Sequence, residues 1–219
     1  MPTRTVHTGD GVAFLAQPLP PGHAIVTSLP DHSEIPALGV LAWRAWFIAT
    51  VAAACRAIDD DAVAIFFQSD VKHDGRWIDK GYLVQRGADD AGSALLWHKI
   101  VCRAPAGTVT FGRPAYAHLI CVSRGLRLAT GQSSADVLPA LGAMSWPRAM
   151  GAAACEAVVK FLVEHTGCRT VVDPFCGVGT MLAFANAAGL DAIGVELSAR
   201  RAEQARALTV ADVARRRRP

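Results

Sequence analysis

Residues 171 to 197 read VVDPFCGVGTMLAFANAAGLDAIGVEL, in which two apolar runs of strand length enclose one of helix length. Asp173-Pro174 ends the first run, and glycines at 177 and 179 allow a tight turn whose main-chain amides approach a ligand. Residues 178 to 188 are rich in helix formers and stop before Gly189, which favours a helix end. We therefore predict a β-α-β unit with a nucleotide site at the amino end of its helix.

A carboxylate closes this unit. Glu196 ends the second apolar run, about twenty positions after Asp173, and a carboxylate at that distance commonly binds ribose hydroxyls in Rossmann-like folds. The turn lacks the third glycine of the usual dinucleotide fingerprint. The pattern therefore favours a ligand that contains a nucleoside, with an NAD site or an ordinary βα turn as the alternatives.

The turn itself, DPFCGVGT at residues 173 to 180, resembles the Asp-Pro-Phe-x-Gly-x-Gly-Thr motif of S-adenosylmethionine-dependent methyltransferases. The resemblance is to the circularly permuted amino-methyltransferases of the β class, which act on DNA or RNA. It implies S-adenosylmethionine as the cofactor. The residues to which it assigns cofactor binding are Asp173, Pro174, Phe175, Cys176, Gly177, Gly179, Thr180 and Glu196.

The order of the chain agrees with that class, in which the cofactor turn comes near the end. Residues 3 to 7 form a short strand signal before Gly9-Asp10, and the resemblance places the Asp10 carboxylate near the adenine of the cofactor. The apolar run at 24 to 26 then leads into the sequence TSLPD at 27 to 31. That position matches the family's catalytic loop, so the resemblance implies catalytic roles for Ser28, Leu29, Pro30 and Asp31.

The catalytic loop departs from the family pattern at two positions. The usual loop is Ser, Asp or Asn followed by Pro-Pro and an aromatic residue that stacks on a flipped base; Ser28 and Pro30 match it, whereas Leu29 and Asp31 do not. Ser-Leu-Pro is also similar to the Asn-Leu-Pro loop of certain guanine-modifying tRNA methyltransferases. Asp31 is then either a proton acceptor for the substrate or the cap of the helix that follows.

The other periodic segments complete an α/β fold. Residues 36 to 58 predict a long apolar helix, residues 62 to 67 a central parallel strand, and residues 152 to 165 an amphipathic helix. Residues 95 to 102 and 115 to 122 predict two strands that form a terminal antiparallel hairpin. With the resemblance, we expect a Rossmann-like, seven-stranded methyltransferase sheet, circularly permuted, between two helical layers.

Length and composition predict one domain. A chain of 219 residues with 52% hydrophobic residues buries a large core, so we expect a single domain over residues 1 to 211. Residues 212 to 219 include four consecutive arginines and predict a disordered basic tail, with phosphate binding or nuclear import as the alternative. The six cysteines form no Cys-x-x-Cys pair, which predicts neither disulfides nor a metal site. Cys176 is expected to pack rather than react.

The location and the substrate of the protein are predicted from its charge, its apolar segments and the length of one loop. We see no signal peptide or membrane span and expect a cytoplasmic protein, or a nuclear one, without a membrane partner. A net charge of +3 is compatible with a nucleic-acid partner without requiring one. Only residues 123 to 147 are available for target recognition, which favours structured RNA such as tRNA over DNA, with a partner subunit or a homodimer left open. Basic and aromatic residues that could contact it, or form a solvated rim, are Lys72, Arg76, Trp77, Lys80, Lys99, Arg103 and Arg113.

The sequence therefore predicts an enzyme that transfers a methyl group to a nitrogen of a nucleic-acid base. The alternatives are a DNA amino-methyltransferase and a catalytically inactive subunit of an RNA-binding complex. The substitutions at Leu29 and Asp31 are the reason for considering the inactive subunit.

Overall fold

The computed structural model describes residues 1 to 215, and residues 216 to 219 lie outside the described part. The strands are β1 (Arg4–Thr8), β2 (His23–Thr27), β3 (Ala64–Gln68), β4 (Val71–His73), β5 (Arg76–Ile78), β6 (Ala94–Cys102), β7 (Tyr116–Ser123), β8 (Val137–Leu138), β9 (Thr170–Asp173) and β10 (Asp191–Glu196). The α-helices are α1 (Gly11–Phe14), α2 (Val40–Ala57), α3 (Lys80–Asp90), α4 (Ala152–His165), α5 (Thr180–Ala187), α6 (Ala199–Ala207) and α7 (Val210–Arg215). A 3-10 turn spans His32–Glu34.

The main sheet has the order β1-β10-β9-β2-β3-β7-β6-β8. The first five strands in this order are parallel, and β7 is antiparallel to both β3 and β6. The α/β class and the antiparallel hairpin are therefore confirmed. The predicted number of strands is wrong by one, because β8 pairs with β6 at Ile100 and Val101 and makes eight. Two residues are too few to show a strand period in the sequence.

The side chains of the central strand β3 alternate between two cores, one on each face of the sheet. All five residues of β3 are buried. Ile65 packs with the core that includes α4 and α5, whereas Phe66 packs with the core that includes α2 and α3. Successive side chains of a strand point to opposite faces, so a strand buried on both faces reads as a continuous apolar run. The result is the predicted arrangement of one sheet between two helical layers.

Helix α2 is the one helix in the described range that is long and apolar enough to cross a membrane, judged by length and composition. Trp43, Phe47 and Val51 of this helix are completely buried. They pack in the same core as the inner residues of α3, where Gly87 lets the two helices approach closely at Val51. These contacts are those of a core helix in a layered fold.

The end of the chain differs from the prediction. We expected a disordered tail from residue 212, but residues 212 to 215 belong to α7, and the rest of the predicted tail lies outside the described residues. Thr209 and Asp212 cap this helix, with Thr209 N donating to Asp212 Oδ2 at 3.0 Å and Asp212 N donating to Thr209 Oγ1 at 3.2 Å. Val213 is buried in the core. Capping and burial therefore extend the ordered chain past residue 211.

Parallel pairing brings distant parts of the chain to one edge. The carboxyl ends of β1, β2, β9 and β10 meet there because these strands are parallel neighbours. The loops that follow them include Gly9-Asp10, Ser28 to Asp31, the glycine turn and the end of β10. Open parallel sheets bind their ligands at this edge.

Candidate active site

A cavity of about 500 Å³ opens at the carboxyl edge of the sheet. Its volume lies within the range of small-molecule sites, which is roughly 300 to 1,000 Å³. The loops after β1, β2, β9 and β10 line it, together with the segment before α4 and one residue of α2. The predicted residues that it brings together are Asp10, Ser28, Leu29, Pro30, Asp173, Pro174, Phe175, Cys176, Gly177, Thr180 and Glu196.

Two glycines shape the turn between β9 and α5. Gly177 and Gly179 both have positive φ, +56° and +83°. Gly179 N donates to Cys176 O at 2.8 Å, and Cys176 N donates to Val195 O at 3.0 Å, which ties the turn to β10. Gly179 is not among the residues that line the cavity, and its contact with the cofactor stays a prediction. A Cβ there would lie 2.8 Å from that of Ala205, so Gly179 allows α6 to pack against the turn.

Cys176 is buried in this turn, with 7% of the residue exposed. Burial raises the pKa of the thiol, and the nearby carboxylates of Asp173 and Glu196 raise it further. A thiol with a raised pKa is a poor nucleophile. These properties support the packing role rather than a reactive one.

Asp173 is a buried carboxyl at the floor of the cavity. Its Oδ1 accepts a hydrogen bond from Thr27 Oγ1 at 2.7 Å and another from Phe175 N at 3.1 Å. Burial raises the pKa of Asp173 to about 7, the two hydrogen bonds oppose that rise, and the negative charge of Glu196 adds to it. Within residues 1 to 215 no cationic side chain forms an ion pair with Asp173. A buried carboxylate without a cation favours binding of a positively charged ligand.

This pKa predicts how stability depends on pH. Aspartate in an unfolded chain titrates near pH ~4, so up to about pH 7 the folded protein holds a proton at Asp173 that the unfolded chain has lost. The contribution of this group therefore falls as the pH rises through that window and stays lower above it. Asp173→Asn has no such titration. We therefore expect the free energy of unfolding of this variant, relative to that of the wild type, to grow by up to about 1.4 kcal/mol for each unit by which the pH rises.

Urea denaturation of both proteins between about pH 4.5 and about pH 6.5 measures the difference, since this window lies between the two pKa values of Asp173. A difference that stays constant with pH would contradict the raised pKa.

Two further carboxylates besides that of Glu34 lie on the cavity wall. Glu196 is 8% exposed, and its Oε1 accepts from Ser198 N at 2.8 Å. Asp10 Oδ1 accepts from Val12 N at 2.8 Å and caps α1. A main-chain bond of 3.1 Å from Gly9 N to Glu196 O joins the two loops. The carboxyl ends of the neighbouring strands β1 and β10 thus hold both carboxylates at one ligand space, where they can accept hydrogen bonds from hydroxyl or amino groups.

Aromatic side chains that the sequence analysis missed complete the wall. Trp46 lines the cavity and meets Phe175 edge-on, with ring centroids 6.2 Å apart. Trp146 also lines it, and the guanidinium of Arg201 lies 5.5 Å from its ring centroid. Trp46 belongs to a helix that is apolar nearly all round, and Trp146 lies in a loop without a motif. Only the presence of a large aromatic residue beside Pro147 could have singled out Trp146.

The catalytic loop divides between two pockets. Ser28, Leu29 and Pro30 line the large cavity, whereas Asp31 lines a smaller pocket beside it. Asp31 forms an ion pair with Lys80, and Arg113 Nη2 lies 3.3 Å from Asp31 Oδ2. Asp31 precedes the 3-10 turn, and its main-chain N donates to Glu34 Oε2 at 3.0 Å. The structure therefore places it at the cap position but gives its carboxylate two cationic partners.

A second polar cluster lies on the same edge. His118 Nε2 is 3.0 Å from Asp70 Oδ1, and His98 Nε2 is 2.9 Å from His118 Nδ1. Ligand atoms of Asp70, Asp79 and His118 lie within 4.8 Å of one another, a spacing that could hold a metal ion. Oδ1 of each aspartate also accepts a main-chain N–H from the first turn of α3 at 2.8 Å. These hydrogen bonds already account for the cluster as the anchor of α3.

Comparisons by sequence give no match: neither a protein-family model nor a curated protein resembles the chain. Comparison with solved structures, in contrast, gives clear matches. The chain is similar to TTHA0409, a candidate DNA modification methylase of Thermus thermophilus, with a TM-score of 0.70, 20% identity and 96% of each chain covered. The same protein complexed with S-adenosyl-L-methionine gives a TM-score of 0.68 over 96% of this chain and 94% of that one, at 20% identity.

Two further structures have the same fold. The PvuII DNA methyltransferase, described as cytosine-N4-specific, matches with a TM-score of 0.70 and 14% identity over 95% of this chain and 87% of that chain. M1.HpyAVI in complex with SAM matches with a TM-score of 0.61 and 11% identity over 92% and 97%. The chain thus has the fold of the S-adenosylmethionine-dependent DNA methyltransferases. The prediction of structured RNA as the substrate finds no support among these structures.

Proposed function

We propose that this protein is an S-adenosylmethionine-dependent methyltransferase that acts on an amino nitrogen of a base in DNA. The observation that supports it best is the joining of Asp10, Ser28, Asp173 and Glu196 in one cavity, although they lie at opposite ends of the chain. DNA replaces RNA as the preferred substrate because two of the similar structures are described as DNA methylases or methyltransferases. Such a substrate implies an intracellular place of action.

The cavity residues fit the cofactor. Asp173 is a buried carboxylate that lacks a cation among the described residues, which suits the positively charged methionine end. Glu196 suits the ribose hydroxyls, and Asp10 suits the adenine amino group. Trp46 and Phe175 provide an apolar wall that excludes water from the reaction. When bound, S-adenosylmethionine supplies a methyl group on a positively charged sulfur.

Ser28 is placed to orient the acceptor. It follows β2 directly and lines both the large cavity and the smaller pocket, so it lies at their junction. Its hydroxyl oxygen can accept a hydrogen bond from an exocyclic amine of a base and direct the nitrogen lone pair toward the cavity. Pro30 O already accepts from Trp43 Nε1 at 3.1 Å, which holds the loop against α2.

Ser28→Ala is expected to lower kcat by about tenfold while leaving the Kd for S-adenosylmethionine unchanged. The reason is that one hydrogen bond to the acceptor is lost, a contribution of about 1 to 1.5 kcal/mol. Transfer of a labelled methyl group to DNA oligonucleotides measures kcat, and calorimetry measures the Kd. Thr5→Ala, which removes an exposed hydroxyl on strand β1 outside both pockets, is the matched control. Unchanged kcat in Ser28→Ala would remove Ser28 from the proposed site.

The function as a whole is tested in two steps. Calorimetry with S-adenosylmethionine and S-adenosylhomocysteine comes first, and failure of both to bind would overturn the proposal. Labelled-methyl transfer to DNA and RNA pools, followed by nucleoside mass spectrometry, then identifies the acceptor. Methylation of RNA alone would restore the prediction from the sequence. Cofactor binding without transfer to any pool would support the inactive subunit, the alternative suggested by Leu29 and Asp31.

A further inference from the structure

We propose that the smaller pocket beside Ser28 binds a phosphate of the nucleic-acid strand that contains the acceptor base. We call it the basic pocket; its charged residues are Asp31, Glu34, Lys80, Arg103, Arg113 and Arg148. The inference rests on the proposed function, because it assigns a role to the polyanionic part of the same substrate.

The position of the basic pocket is the first argument. It shares Ser28, Leu29, Glu34 and Arg148 with the large cavity, so the two spaces adjoin at the catalytic loop. Its volume is about 40 Å³, which suits a small polar group and is too small for a base. A base held at Ser28 would bring the phosphates of its own strand to the neighbouring surface.

The charge of the basic pocket is the second argument. Four cationic side chains face two carboxylates, which makes the pocket positive overall. Lys80 is buried, with 4% of its side chain exposed, and its ion pair with Asp31 accounts for one charge of each sign. Arg148 Nη1 lies 2.5 Å from Glu34 Oε1 and accounts for a second pair. Arg113, which shares Asp31 with Lys80, and Arg103 both belong to the β6–β7 loop.

The guanidinium of Arg113 is accessible to a ligand from solvent. Its side chain is 42% exposed, and its contact with Asp31 Oδ2 at 3.3 Å uses one of its five N–H donors. Arginine binds phosphate oxygens through two parallel N–H groups, a geometry that lysine lacks. Asp31 therefore has a role that a stacking aromatic could not fill, since it holds both Lys80 and Arg113 at the pocket.

The surroundings suit a strand with unpaired bases. Phe111, two residues before Arg113, is 92% exposed, and Trp77, on the β4–β5 hairpin three residues before Lys80, is 50% exposed. Lys72 Nζ lies 5.8 Å from the ring centroid of Trp77. Exposed aromatic faces beside a positive groove are how proteins stack single-stranded bases while they follow the backbone. These features favour a nucleic-acid strand over an acidic peptide as the ligand.

The test compares Arg113→Ala and Arg113→Gln with wild type in binding a fluorescent DNA oligonucleotide at several salt concentrations. We expect about 3- to 10-fold weaker binding and a slope of log K against log salt that is smaller by about 1, as for the loss of one phosphate contact. The KM for the oligonucleotide should rise, while kcat and the Kd for S-adenosylmethionine stay within twofold. Arg113→Lys should restore part of the affinity because it keeps the charge.

Arg169→Ala is the matched control, because Arg169 is exposed and precedes β9 at the opposite edge of the sheet. It should change neither the affinity nor the salt slope. If both Arg113→Ala and Arg113→Gln kept the wild-type slope and KM, the phosphate site would be refuted, even with an active enzyme. A wild-type protein that binds cofactor but methylates no nucleic acid would instead refute the proposed function. Binding of a polyglutamate peptide in place of the oligonucleotide would also overturn the phosphate assignment.

Discussion

Replacing Gly179 by alanine is expected to lower the free energy of unfolding by about 2 to 5 kcal/mol. Gly179 has φ of +83°, where a side chain is strained. A Cβ added there would also lie 2.8 Å from Ala205 Cβ, 2.9 Å from Ala205 Cα and 3.0 Å from Ala205 O. Two of these atoms belong to the main chain of α6, so the contact can be relieved only by moving the helix. The cost of the strained main chain and the cost of overpacking against α6 therefore add in the loss of stability.

Gly189 provides a control for the first of these two effects. Its φ is +86°, and a Cβ there would meet nothing within 4 Å. Gly189→Ala should therefore cost only the left-handed conformation, about 1 to 2 kcal/mol. Urea denaturation of both variants measures the two losses. Equal losses would show that a Cβ at position 179 is accommodated without overpacking against α6, contrary to the prediction.

Asp173→Asn is expected to lower the affinity for S-adenosylmethionine by about 10- to 100-fold at pH 8, which corresponds to losing a charge-assisted interaction of about 1.5 to 3 kcal/mol. Asparagine has nearly the same shape, and its Oδ1 can still accept the hydrogen bonds from Thr27 and Phe175 that Asp173 accepts. The same variant should be more stable than wild type at this pH, because it removes a buried charge. A loss of affinity together with a gain in stability separates a role in binding from a role in folding.

The pH dependence of binding gives a further check on Asp173. Below its pKa of about 7 the carboxyl holds a proton, which must leave before it can face a cation. Cofactor affinity of the wild type should therefore fall as the pH drops below 7, by up to about tenfold per unit, and that of Asp173→Asn should be nearly flat. Calorimetry between about pH 6 and about pH 8.5 measures both. Parallel profiles for the two proteins would assign the titration to another group.

The cofactor half of the site was predictable because its signals are local. Within 27 residues the chain contains the strand before Asp173, the glycine turn, α5 and the strand ending at Glu196. Each of these elements has a hydrophobic periodicity or a turn residue that predicts it from the local sequence. The structure extends β9 to Asp173 and begins α5 at Thr180, two residues later than predicted. Such shifts at element ends are small because helix and strand boundaries depend on the last hydrogen bonds.

The acceptor half was less predictable because its contacts are remote in the chain. Asp31 meets Lys80 over 49 positions and Arg113 over 82. Neither partner carries a motif, and the sequence alone left Asp31 as a proton acceptor or a cap. Similarly, β8 and the wall residues Trp46 and Trp146 lie in segments whose local pattern contains no sign of the site.

Sequence alone thus established that a β-α-β nucleotide turn comes late in this chain and that a Ser-Leu-Pro-Asp loop comes early, because both are short runs whose residue types limit the main chain. Folding decided that the two runs face one cavity, since parallel pairing aligns the carboxyl ends of β1, β2, β9 and β10 at one edge. It also decided that Asp31 turns away from that cavity toward Lys80 and Arg113. Ion pairs depend on distances through space, which the order of residues does not contain.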